Sequence, residues 1–171
     1  MNIWQFQHTL ARRLLIWNAI NIVAGALIML RGGFWRGFGS QHVGWGLINI
    51  AIGLCGRWSS RRRAESADAF TPYTLAKEGR NLRRLLWLNA GLDGAYMLAG
   101  WLTARQSRPD DHLRRGVGWG IVVQGGLLLI FDLLHAPQVP VEPFADQPSS
   151  VWSPEQERSV ASTEHLSERR A

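Results

Sequence analysis

Asn89, Asp93 and Tyr96 are spaced four and three residues apart within one apolar stretch. On a helix that spacing stacks them on one face. A later stretch repeats the arrangement with Gln124, Leu128 and Asp132 on a single i, i+4 row. Asn18 and Asn21 share a face with Gly25, and Asn49 sits between Gly46 and Gly53 at helical spacing. A carboxyl group set in apolar surroundings must be neutral or paired, and it is suited to handling a proton or a cationic solute. Amides at the same depth are suited to hydrogen bonding a solute or one another.

These side chains need elements to hold them. Residues 14–30, 43–58, 85–103 and 116–135 carry most of the Leu, Ile, Val and Gly, and the intervening stretches carry nearly all the charge. The pattern is duplicated. Arg12-Arg13-Leu14-Leu15 returns as Arg83-Arg84-Leu85-Leu86, and Val43-Gly44-Trp45-Gly46 returns as Val117-Gly118-Trp119-Gly120. The fold expected is all-α: a bundle of four transmembrane helices built from two repeated helical hairpins. A bilayer core needs about 20 helical residues, with a range of about 17–25. The third and fourth segments satisfy this; the first two are marginal. The competing fold is a soluble bundle, whose helices normally carry a charged outer face.

The expected organisation is an interfacial amphipathic lead-in over 1–13 and a first transmembrane hairpin over 14–58. A basic cytoplasmic loop over 59–81 and a second transmembrane hairpin over 82–136 follow. A Pro-rich tail over 137–171 reads as disordered. No cleavable signal peptide is evident, so the first apolar run is expected to stay in place and direct insertion. Eighteen of the nineteen basic residues are Arg, Lys77 being the exception, which points to a high-GC genome and a bacterial source. Thirteen basic residues fall in the amino end, central loop and tail, against six in the two hairpin connectors. The positive-inside rule then gives a multi-pass protein of the cytoplasmic (inner) membrane with both termini cytoplasmic. Trp17, Trp58 and Trp87 are expected in one interfacial belt, with Trp35, Trp45, Trp101 and Trp119 in the other.

Polar side chains within a bilayer turn inward. Asn18, Asn21, Asn49, Asn89, Asp93, Tyr96, Gln124 and Asp132 are therefore expected to line one bundle axis. Asp93 lies nine residues beyond Arg84, roughly 13 Å along a helix and near the midplane. It is either a ligand or proton site, or a structural hub satisfied by Asn18, Asn21 or Gln124. Asp132 is expected to reach the interface and pair with an Arg. Cys55 reads as a small buried apolar side chain. The histidines read as scattered surface residues. No metal, cofactor, phosphate-loop or nucleophile motif is present, and the Arg distribution does not describe a nucleic-acid binder. Small residues at Gly91, Ala95 and Ala99, and at Gly116 and Gly120, mark faces for close helix contact.

The second half, Leu88-Asn89-Ala90-Gly91-Leu92-Asp93-Gly94-Ala95-Tyr96 followed by Gly118-x5-Gln124-Gly125-x5-Phe131-Asp132, resembles a family of small bacterial membrane proteins. That family is a domain of unknown function with four predicted helices. The resemblance covers about residues 8–136, supports the architecture and implies no activity. The tryptophan-rich sensory proteins, with five helices and Pro-marked signatures, are a poorer fit.

Two functional classes follow. One is a binding or transport module for a small solute, lipid or proton. The other is a structural or accessory subunit whose small-residue faces dock a second copy or a membrane partner. An enzyme is disfavoured for want of a convergent acid/base pair. A cavity reaching Asp93 would favour the first class.

Overall fold

The computed structural model describes residues 1–141. Four α-helices form, with no strand among the described residues: α1 (Ile3–Met29), α2 (Gly33–Ala64), α3 (Pro72–Gln106) and α4 (His112–His135). A short 3-10 turn, Ala136–Gln138, follows. The helices are longer than the apolar segments that mark them. The lead-in over 1–13 is the first part of α1, in line with the rest. The first connector narrows to Leu30-Arg31-Gly32, since residues 33–39 already belong to α2. The basic loop narrows to residues 65–71. Nearly all of the tail lies outside the described residues.

Local chemistry sets these ends. The Asn2 side chain accepts a hydrogen bond from the Gln5 amide, and the Gln5 side chain accepts one from the Asn2 amide. This reciprocal cap satisfies two donors that an open helix start leaves unpaired. Gly32 and Gly33 have φ of 73° and 46°, which lets the chain reverse in three residues. Thr71 caps α3 just before Pro72, and the Asp111 side chain caps α4 by accepting from the Arg114 amide.

α1 packs on α2, α3 packs on α4, and the two pairs meet where α2 lies against α4. α1 and α3 meet through side chains at one end only, where Ile3, Trp4, Phe6 and Leu10 share a cluster with Leu86. The α2–α4 contact is made near the starts of both helices, where residues 34–41 face residues 113–120. Backbone meets backbone there: a Cβ on Gly116 would collide with the Phe34 carbonyl, and one on Gly37 with the Leu113 carbonyl. Only glycine permits that approach.

The interior is polar and the exterior apolar. Asn18 is 0% and Gln124 1% exposed, whereas Ile20 is 57% and Leu27 62% exposed. The one apolar core cluster among the described residues sits at the opposite end from the α2–α4 contact. It includes Ile3, Trp4, Phe6, Leu10, Leu86 and Val139, and the Trp4 indole donates to the Ala69 carbonyl at 3.0 Å. Cys55 is exposed, contrary to its expected burial, because it faces away from both packed helices. Two helical segments, Ile3–Met29 and His112–Gln138, are long and apolar enough to cross a membrane.

Candidate functional site

The eight polar residues separate into two groups. The first is a set of paired amides. Asn21 Nδ2 donates to Gln124 Oε1 at 2.7 Å, and Asn21 Oδ1 meets His42 Nδ1 at 3.0 Å. Asn49 Nδ2 donates to Asn18 Oδ1 at 3.2 Å, while Asn18 Nδ2 donates to the Leu14 carbonyl at 2.8 Å. α1 is thereby tied to α2 twice and to α4 once. Buried amides of this kind hold helices in register because each would cost free energy if left unpaired.

The second group faces a cavity of about 330 Å³. Asn89, Asp93, Tyr96 and Asp132 line it, and Asn49 contributes from α2. The cavity lies where the α2 and α3 backbones do not pack closely and only side chains bridge them, Trp45 to Tyr96 at one level and Arg63 to Glu78 at another. Asp93 and Asp132 are each 7% exposed. Asp93 Oδ2 has no hydrogen-bond partner, and neither carboxyl has an ion-pair partner among the described residues. Trp45 and Tyr96 meet edge to face, with ring centroids 5.0 Å apart, beside Asp93.

Two expectations are corrected here. Asp93 makes no hydrogen bond to Asn18, Asn21 or Gln124: the two Asn are engaged elsewhere, and Gln124 Nε2 and Asp93 Oδ2 are each buried without a partner. Asp132 does not pair with an Arg; it points into the cavity. Tyr96 shares the Asp93 wall yet remains partly exposed at 44%. Trp45 belongs to the cavity wall rather than to the outer face that Trp35 and Trp58 occupy. Gly116 and Gly120 are used in the α2–α4 contact, whereas Gly91, Ala95 and Ala99 are exposed.

His42 was missed by sequence reasoning. It is 6% exposed, and its Nε2 is buried without a hydrogen-bond partner. Its signal was position: Gly39, His42, Gly46, Asn49 and Gly53 fall on one buried helical row once α2 is known to begin at Gly33. His135 is also buried, with Nδ1 against the Phe131 carbonyl at 2.7 Å and Nε2 against Arg13 at 3.2 Å. His112 is exposed, as a scattered surface histidine is expected to be. Among the described residues no group of three metal-ligating side chains forms.

The broad end of the cavity is basic and polar. Arg57 and Arg63 line it with Gln7. Arg63 pairs with Glu78 at 3.1 Å; Gln7 donates to Glu78 at 3.4 Å and accepts from Ser60. Arg57 has no ion-pair partner among the described residues. One end of the cavity is therefore cationic, Asp93 lies toward the other beside Trp45 and Tyr96, and Asp132 lies between.

Fold and site define an all-α four-helix protein with a polar interior and a cavity between its two helical pairs. The chain belongs to a family of unknown function, DUF6992, whose model matches residues 13–133. No curated protein and no solved structure matches it. The matched span holds all eight polar residues and His42. It leaves out Trp4, Gln7 and Leu10 at the broad end.

Proposed function

We propose that this is a multi-pass protein of a bacterial cytoplasmic membrane that binds or moves a small solute, lipid headgroup or proton at the Asp93 cavity. The membrane reading rests on the reversed distribution of polarity. A core helix of a soluble protein is mostly buried, but the apolar windows of the first and last helices are only 17% and 28% buried. Large apolar side chains facing outward on all four helices have no aqueous rationale. Residues 37–56 of α2 carry no Asp, Glu, Lys or Arg, and residues 85–104 of α3 carry only Asp93. Each run is twenty residues, enough for a bilayer core of roughly 30 Å. Both termini and residues 65–71 then lie on the cytoplasmic side, by the basic-residue count.

The binding reading rests on one observation: Asp93 Oδ2 is buried, unpaired and at the head of an accessible cavity. A residue kept only to hold helices together would be hydrogen-bonded, as Asn18 and Asn21 are. The alternative, an accessory subunit, draws support from the exposed Gly91, Ala95 and Ala99 face, which would seat a second copy or another membrane protein.

The test is modification of the purified chain in lipid nanodiscs by a hydrophobic carbodiimide, with the sites read by mass spectrometry. Reaction at Asp93 and Asp132 is expected. A folded protein in which Asp93 stays unmodified would leave the structural role.

A further inference from the structure

We infer that the cavity takes an amphiphilic organic cation that enters sideways from the bilayer through the gap between α2 and α3. This rests on the binding reading above and names its ligand class.

Charge and shape lead there together. The cavity offers two carboxyl groups, Asp93 at its deep end and Asp132 nearer its middle, neither with an ion-pair partner among the described residues. Low-dielectric surroundings make an unpaired carboxylate costly, so the pair favours whatever positive charge can reach it. Across the antiparallel α3–α4 contact Gly125 lies against Asp93 and Met97, so Asp132, seven residues further along α4, is displaced from Asp93 by roughly 7 Å along the axis. Among the described residues no third metal-ligating side chain joins them. Between and around the acids the walls are apolar: Leu10, Leu14, Ile52, Leu85, Leu92 and Leu128. An inorganic ion would gain nothing from those walls, whereas an organic body would. The Trp45–Tyr96 pair adds aromatic faces beside Asp93, which attract a desolvated cation.

The route follows from the same groups. Arg57 stands unpaired on the broad end and repels a cation arriving from that side. Between the Trp45–Tyr96 and Arg63–Glu78 bridges, the slot between α2 and α3 is lined by Ile52, Leu85 and Leu92, which are 60%, 51% and 48% exposed. An amphiphile dissolved in the bilayer meets this apolar slot first and the acids behind it. The volume of about 330 Å³ lies at the low end of ligand pockets, so part of a larger ligand would remain in the slot.

The test uses two probes of the same shape and opposite charge, tetraphenylphosphonium and tetraphenylborate. Binding to the full chain in nanodiscs is measured by equilibrium dialysis and corrected for partition into empty nanodiscs. The cation should bind at least about tenfold more tightly than the anion after correction. Asp93→Asn should weaken the cation by about tenfold or more. Arg57→Gln should leave its binding equal or tighter. In the unmutated chain, the cation should protect Asp93 from carbodiimide while the anion should not, which removes any dependence on how a variant folds. Equal binding of both probes, preference for the anion, or no protection of a reactive Asp93 would overturn the cation assignment while leaving a solute or proton site standing. An Asp93 that neither reacts nor answers to either probe would sink the binding reading as well.

Discussion

Asn21 on α1 donates a 2.7 Å hydrogen bond to Gln124 on α4, and this bond joins opposite halves of the chain. The two helices have little other contact. Replacing Gln124 by Leu leaves the Asn21 amide buried and unpaired. The expected loss is about 1–3 kcal/mol, toward the lower figure if the unfolded chain stays in lipid. Asn21→Leu should cost a similar amount, and the double substitution less than the sum. Unfolding in mixed detergent measures all three. Strict additivity would show that the pair does not communicate.

The α2–α4 contact depends on absent side chains. Gly116→Ala drives a methyl group into the Phe34 carbonyl, and Gly37→Ala does the same at Leu113. Each should destabilise the fold by about 1–3 kcal/mol. Gly44 and Gly56 have nothing within 4 Å of where a Cβ would lie. Alanine there should be neutral or stabilising by up to about 1 kcal/mol, since glycine disfavours helix. Thermal denaturation of the four variants, monitored by circular dichroism, checks the contrast.

Asp93 offers a test of a different sign. Its Oδ2 has no partner to lose. Asp93→Leu should therefore leave stability unchanged or raise it, whereas a hub would lose about 1 kcal/mol or more. The same unfolding assay decides, and a clear loss would show that Asp93 holds the helices together.

The orientation proposed above predicts an asymmetric labelling pattern. With the exposed Cys55 first replaced, an impermeant thiol reagent added outside should modify a cysteine placed at Ser107 and spare one placed at Ser66. The reverse pattern would invert the topology.

Val139 is 5% exposed and packs into the cluster of Ile3, Trp4 and Phe6, while the Pro140 carbonyl lies against Gly79. A chain ended after Pro137 should thus be less stable than one ended after Val141, by about 1–3 kcal/mol for the buried Val side chain. Differential melting of the two truncations measures it. Equal stability would show that residues 138–141 add nothing.

The candidate site was legible in proportion to how local its signals are. Asn18, Asn21 and Gly25 reveal a shared face by spacing alone, and all three are buried as that face requires. Spacing gives no register between helices. The partner of Gln124 was therefore invisible, and so was the separation of paired amides from cavity acids. Helix length was misread for a related reason. Residues 57–64 and 72–84 are rich in charge, and hydropathy ends a segment there although the backbone continues. His42 fell just outside the apolar run by the same rule. The broad-end cluster of Ile3, Trp4, Leu86 and Val139 joins residues more than eighty positions apart, which no periodicity reports.

The close approach at Gly37 and Gly116 lies near one end of two long helices, and this gives the molecule a fulcrum. Each helical pair behaves as an arm roughly 30 Å long beyond it, at 1.5 Å per residue. A rocking of about 10° of one arm against the other would barely disturb the glycine contact, yet it would move the far ends by about 5 Å and so would have to part the cluster of Ile3, Trp4, Leu86 and Val139 that joins them. The space beside Asp93 and Asp132 lies along those arms, so its width is set by leverage from a point that touches neither acid.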